Sequence, residues 1–391
     1  MAVIGGGPAG TSAAFHAAKL GLKTIIFEKR SYPREKPCGG ALSARCIPLL
    51  GKHAVNAVNC KIDELRLFAP SFKGFTCKDV PGYFVTRQEF DRAMANDARD
   101  AGAQLMEGCK VTAVNLLPSG DYEIVTGDDS IISTYVILAA GLQDNTLAKQ
   151  LGIAEKREKD YLAMCLVSET PIRNDILKAV GFSERILAIF LGAVPNGYGW
   201  YFVKDGYVNI GIGSTALLLR KIGAPNAYKQ FVNDLKEKGL LPGDLQLAKE
   251  RPFPLPFKRT AKETVFGRVL LAGDSAGFVS PVTGEGLYYG IKGGQLAAEA
   301  IFQHLKSKAP LTSYRDNWKK AFGNDLNTYG YFLQKKVYAN KRRMEFVVSL
   351  GRHDRKMAGI LTRMIYGIYN YKRSIRKILA RVPVSLFKLF F

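Results

Sequence analysis

Histidine and tryptophan are scarce in this 391-residue chain, with four of the first and two of the second. His16, His53, His304 and His353 stand far apart, and none of the six cysteines (Cys38, Cys46, Cys60, Cys77, Cys109 and Cys165) forms a Cys-x-x-Cys pair. Metal-ligand spacing is therefore absent and no metal site is expected. No Ser-His-Asp order and no paired-carboxylate arrangement stands out. An uncharged apolar run of about 18 residues, the length a spanning helix needs, is missing too. With no signal peptide either, reduced thiols in a cytoplasmic setting are the expectation. The chain opens almost inside its first strand, which leaves room for a little missing N-terminal sequence. An apolar fraction of 47% with only 17 prolines argues against disorder.

Acidic residues are the other shortage: 34 Asp and Glu face 56 Lys and Arg, a net charge of +22. The excess is uneven. Residues 335–391 hold 15 basic residues against Glu345 and Asp354, a net +13. Met364, Ile365, Ile368, Ile375, Ile378, Leu379, Val384, Leu386, Phe387, Leu389, Phe390 and Phe391 are interleaved with them. Basic amphipathic segments with aromatic ends lie at membrane interfaces, so an anionic membrane surface is the expected partner and the protein is placed peripherally at the membrane; the plain alternative is a solvated, packed helical domain. Removing residues 361–391 is expected to weaken that attachment only. Nucleic acid is not expected, because no nucleic-acid-binding motif occurs.

What the chain does have is a nucleotide signature. Ala2-Val3-Ile4 reads as a strand and runs straight into Gly5-Gly6-Gly7-Pro8-Ala9-Gly10. Gly5 permits the tight turn, Gly7 lets the backbone approach a pyrophosphate, and Gly10 lets the following helix pack on the strand. That helix, over Ala9 to Leu20, offers its amides and positive dipole end to phosphate. A second strand, Lys23 to Phe27, delivers Glu28, with Lys29 beside it, where an acid grips ribose hydroxyls. Far downstream Leu270-Leu271-Ala272 ends in Gly273-Asp274, whose carboxylate can accept hydrogen bonds from ribityl hydroxyls. The two motifs together point to FAD. The glycine-rich turn Gly284-Glu285-Gly286-Leu287 then opens a second helix, expected over Glu285 to Leu305. Its dipole end can stabilise negative charge on a reduced flavin.

Between these motifs the pattern alternates. A helix is expected over Gln88 to Ala101 and strands over Val111 to Val114, Tyr122 to Val125 and Ile131 to Leu138. Val111 is counted with the cofactor-facing residues, as are Ala140 and Gly141 in a small-residue turn. The stretch 160–260 is strand-rich, with one helix over Ala227 to Lys238. The fold class is thus α/β: an FAD-binding Rossmann-like domain (1–60, 87–158 and 262–310) with an inserted antiparallel β-rich substrate domain (61–86 and 159–261). A basic helical C-terminal segment follows (311–391). Tyr198, Trp200 and Phe202 alternate on one strand and share a face, either as a core stripe or as a wall for a long hydrocarbon.

Four separated motifs, covering about residues 1–305, are similar to those of the geranylgeranyl reductases. This family lies within a wider group of FAD proteins folded like aromatic hydroxylases. The motifs are Gly5 to Gly10, Lys36-Pro37-Cys38-Gly39-Gly40-Ala41, Pro195 to Phe202, and Gly273 to Gly286. The third resembles the family's Pro-x-x-Tyr-x-Trp-x-Phe-Pro signature and departs from it at Val203. The resemblance implies that Arg87 reaches FAD from the start of its helix; the plain alternative is a surface pair with Asp91. It also implies that Cys38, with Gly39 and Gly40, lies on a loop beside the flavin, and that Cys38, Tyr198 and Trp200 serve catalysis. The implied activity is saturation of C=C bonds in a polyprenyl (geranylgeranyl-type) lipid, quinone or pigment precursor by hydride from reduced flavin. The electrons would come from NAD(P)H or reduced ferredoxin, and no second pyridine-nucleotide motif chooses between them. The main rival on the same fold is a flavin-dependent monooxygenase of an aromatic or polyketide substrate. A halogenase is disfavoured by the lack of a Trp-x-Trp-x-Ile-Pro segment.

Overall fold

The computed structural model describes residues 1–142, 145–153, 162–173, 185–204, 206–257 and 260–390. The boundary expected between 158 and 159, and Phe391, lie outside the described residues.

The apolar run Ala2–Ile4 is buried on both faces, as a strand central to a parallel sheet must be. It pairs in parallel with Val136–Leu138 on one side and Ile25–Phe27 on the other. Gln104–Met106 and Val269–Leu271 extend this sheet, and Val265–Phe266 closes one edge antiparallel. Each fully buried Val, Ile or Leu here contributes roughly 1.5–3 kcal/mol.

Helix Pro8–Lys19 covers one face of this sheet and packs against helix Leu287–Ser307. Small residues make that crossing possible. A Cβ on Gly294 would stand 2.1 Å from the Ala9 carbonyl oxygen, and one on Gly10 would stand 1.9 Å from that of Gly5. Helix Arg87–Asp100 completes the group around the sheet.

A seven-stranded sheet forms the second layer, in the order Arg251–Pro256, Leu162–Pro171, Tyr207–Thr215, Tyr198–Lys204, Ile186–Leu191, Glu64–Phe68, Gly74–Lys78. Its period-two alternation separates two faces. Tyr201, Val203, Val208, Ile210 and Ile212 pack with Phe231 and Leu235 of helix Ala224–Glu237, while Trp200 and Phe202 belong to a different cluster on the opposite face. A small sheet joins Ala41–Ser43, Gly82–Phe84 and Cys60–Lys61. The 61–86 block is thereby split between two sheets.

Several elements shift from the sequence reading. Residues 131–138 break into Asp129–Ser133 and Val136–Leu138, in different sheets, and the strand expected at 111–114 is Ala113–Leu116. A further helix, Ala216–Ile222, precedes Ala224–Glu237. Beyond residue 311 the chain is helical, and Lys319–Thr328 and Gln334–Tyr338 adopt the wider i→i+5 winding. Helices Lys341–His353, Arg355–Ile365 and Tyr371–Phe390 finish the described chain.

Candidate active site

One cavity of about 650 Å³ runs between the parallel sheet, the seven-stranded sheet and the C-terminal segment. Its walls include nearly every residue singled out from sequence. Gly5, Gly7, Pro8, Ala9, Glu28 and Lys29 line it at one end. Arg87, Val111, Ala140, Gly141, Gly273 and Asp274 follow, with Cys38, Gly39 and Gly40 on the facing loop. Gly284, Gly286, Leu287, Tyr198 and Trp200 stand further along. Gly10 alone of the set does not line it; Gly10 is buried against the strand instead.

The donor end suits a dinucleotide. Helix Pro8–Lys19 starts at Gly7 with no side-chain cap and no acid in its first turn, so its first amides are left for a ligand. A Cβ on Gly7 would meet nothing within 4 Å except Arg34 Nη2 at 3.9 Å, which leaves backbone open to the cavity. Glu28 is buried and accepts from the Gly6 amide at 2.8 Å, keeping further lone pairs for hydroxyls. Helix Leu287–Ser307 likewise starts at Gly286 without a side-chain cap or a first-turn acid. Two uncapped helix N-termini on one cavity favour an anionic or strongly accepting ligand at both places.

Arg87 is not at the surface. It is buried, and its Nε and Nη2 each donate to Asp91 at 2.8 Å. Arg34 Nη1 lies 3.1 Å from the same Asp91 and Arg34 Nε lies 3.4 Å from Glu28. A chain Glu28–Arg34–Asp91–Arg87 thus runs along the wall. Burial opposes the Asp91 charge, but Arg87, Arg34 and Lys36 hold its carboxyl below the usual range. Burial pulls Lys36 down, partly offset by Asp274 at 3.9 Å. Nothing local in the sequence marks Arg34, which lies in an irregular loop.

The aromatic end is built by alternation. Tyr198, Trp200 and Phe202 face the cavity, and Trp200 lies over its cross-strand partner Gly211, where a Cβ would stand 2.1 Å from the indole ring. Trp200 Nε1 donates to Asn209 Oδ1 at 2.8 Å, and Asn209 Nδ2 donates to the Cys38 carbonyl at 3.0 Å. Asn209 thereby ties the wall to the Cys38 loop. Its place among Val208, Ile210 and Ile212, on the face shared with Gly211 and Gly213, was the signal for it. Tyr198 Oη donates to the Thr283 carbonyl at 2.6 Å. The wall therefore shows a hydrocarbon little unpaired polarity. Cys165 joins it, and burial pushes its thiol up to about 12.

The turn at 280–286 is held from the C-terminal segment as well. Tyr338 Oη donates to the Val282 carbonyl at 2.7 Å, and Tyr371 Oη bonds Ser280 Oγ at 2.6 Å. Arg45 Nη2 meets Glu285 Oε2 at 2.7 Å, while burial keeps the Glu285 carboxyl above its usual range despite that partner. Ile365 and Tyr366 line the cavity itself, and the Tyr366 hydroxyl is buried without a hydrogen-bond partner. These contacts join residues 56 and 91 positions apart, so no local pattern announces them.

Comparison with known proteins places relatives and similar folds beside this chain. A family model described as FAD dependent oxidoreductase matches residues 1–104. The digeranylgeranylglycerophospholipid reductase of Methanocaldococcus jannaschii is 30% identical, over 82% of each chain. The menaquinone reductase of Mycolicibacterium smegmatis is 31% identical, over 81% of this chain and 78% of its own. Among solved structures, a geranylgeranyl bacteriochlorophyll reductase-like protein from Thermoplasma acidophilum superimposes with a TM-score of 0.79 at 21% identity, covering 97% of this chain and 98% of that one.

Proposed function

This chain belongs to the geranylgeranyl reductase family of FAD-dependent oxidoreductases, and from that premise we propose that it saturates isolated C=C bonds in a polyprenyl chain borne by a lipid, quinone or pigment precursor. The observation that carries this reading is the continuity of the cavity. It passes from the open phosphate turn to a wall of Tyr198, Trp200, Phe202, Leu187, Ile189 and Val167. In that wall the indole N–H and the Tyr198 hydroxyl already have partners, so an alkene chain strands no donor. An aromatic hydroxylation substrate would want polar groups there.

FAD supplies, when bound and reduced, the hydride such a reduction needs. The chain's own part is to hold and orient. The first amides of helix Pro8–Lys19 would hold the pyrophosphate, and Glu28 would accept from ribose hydroxyls. Asp274 would accept from the ribityl chain. The uncapped start of helix Leu287–Ser307 would favour negative charge on the reduced ring system. Arg87, fixed by Asp91, lends positive charge to the cavity wall. Cys38 and Trp200 act as a positioned pair through Asn209. The aromatic wall keeps water out and aligns the double bond, which is where an unactivated alkene gains most.

The test is anaerobic addition of geranylgeranyl lipids, diphosphates or prenylated quinones to photoreduced enzyme, followed by flavin absorbance and product mass. Reoxidation without oxygen, with two hydrogens added per bond, is the expected result. If no prenyl compound reoxidises the enzyme but an aromatic compound with oxygen gives rapid turnover, the protein is a monooxygenase instead.

A further inference from the structure

The terminal helix Tyr371–Phe390 has an apolar stripe on the wrong side for a soluble helix. Its inward residues Ile378, Val382 and Leu386 already pack on Leu350, Met357 and Leu361. The opposite face should be polar. Instead Leu379, Val384 and Phe387 are 66%, 41% and 65% exposed, and Pro383 is exposed among them. Helical spacing puts Leu379, Pro383 and Phe387 on one outward strip, with Val384 beside it.

Cations border that strip. The groove between this helix and Arg355–Ile365 is lined by Arg355, Lys356, Arg363, Lys377, Arg381 and Lys388. Its single carboxylate, Asp354, is fully buried and already spent: it accepts from Arg381 at 2.6 and 3.1 Å and from Ser385 at 2.7 Å. Six cations against one carboxylate leave the groove strongly positive.

We propose that this face docks on the anionic surface of a phospholipid bilayer, the stripe entering the headgroup boundary and the groove taking lipid phosphates. An outward apolar strip flanked by Lys and Arg is what such an interface selects. A second copy of the chain would bring two positive faces together and repel. Nucleic acid would use the cations but gain nothing from exposed Leu379 and Phe387. The placement deepens the reductase reading, on which it rests only for its purpose: helix Arg355–Ile365 supplies Arg355, Lys356 and Arg363 to the groove and Ile365 to the cavity wall. A lipid-borne substrate would then be met where the protein already sits.

The experiment is flotation of FAD-loaded full-length protein with vesicles of phosphatidylcholine, with or without phosphatidylglycerol, and without substrate. The protein is expected to float with phosphatidylglycerol vesicles, to leave them at high salt, and to bind pure phosphatidylcholine at least about tenfold less. The double variant Leu379→Glu, Phe387→Glu is expected to lose flotation while keeping its flavin content and melting temperature. Wild-type binding by that variant, no flotation on anionic vesicles, or equal binding to neutral ones would overturn the proposal. So would a dimer at working concentration that the variant dissolves, since the stripe would then be a self-association surface. No turnover enters the readout, so the docking surface can fail while the reductase stands, and the reverse.

Discussion

Asp91 is fully buried and accepts two of the guanidinium groups that line the cavity, Arg87 in two hydrogen bonds and Arg34 in an ion pair. Replacing it by Asn would leave two buried cations without their shared anion, an imbalance that costs about 3–5 kcal/mol. Denaturant unfolding of Asp91→Asn should show a loss of that order, with flavin released earlier than in wild type. The sign with pH follows from the folded carboxyl being held below its ordinary value, near about 3.9. Its contribution is complete above that value and drains away as acid protonates the unfolded chain first. Wild type should therefore lose stability below about pH 4 more steeply than Asp91→Asn; equal slopes would place the acid sensitivity elsewhere.

Among elements, the turn at 280–286 shows how the cavity-facing backbone is fixed. Three tyrosines from three parts of the chain reach it: Tyr198 from the seven-stranded sheet, Tyr338 from the wide-wound segment, Tyr371 from the terminal helix. Each hydroxyl is worth about 1 kcal/mol net, and together they set where the amides of Gly284 to Leu287 point. Tyr338→Phe with Tyr371→Phe should lower the melting temperature by only a few degrees. It should also shift the flavin reduction potential, because the amides proposed to stabilise the reduced ring would move. An unchanged potential at reduced stability would make these tyrosines plain core residues. The periodicity of Tyr198-Gly199-Trp200-Tyr201-Phe202 was enough to assign one face to the site. It said nothing of Tyr338 or Tyr371, whose partners lie far away in sequence.

For the molecule as a whole, the cavity is closed by a segment that sequence reading treated as an attachment. Ile365 and Tyr366 form wall, Ser43 donates to the Tyr366 carbonyl at 2.7 Å, and Asp325 accepts from the Tyr371 amide at 2.8 Å. Removing residues 361–391 is therefore expected to release FAD as well as any lipid contact, correcting the expectation that the cofactor would stay. Flavin absorbance of the purified truncation, against the point variants at Leu379 and Phe387, checks this. Full flavin occupancy after truncation would show the segment to be dispensable.

The glycines at 5, 7 and 10, the acid at Glu28, the Gly273-Asp274 strand end and the aromatic alternation at 198–202 could be read from sequence because each acts within one turn, one strand or one βαβ unit. There the backbone geometry follows from neighbouring residues, and so do the fold class and the choice of FAD. Tertiary structure alone decided that Arg87 turns inward to Asp91, that Arg34 bridges Asp91 to Glu28, and that Asn209 links Trp200 to the Cys38 loop. It also decided that the C-terminal helices supply one wall of the cavity and turn Leu379 and Phe387 outward. Those arrangements pair groups from distant stretches, and burial and charge balance settle such pairings only once the chain has closed on itself.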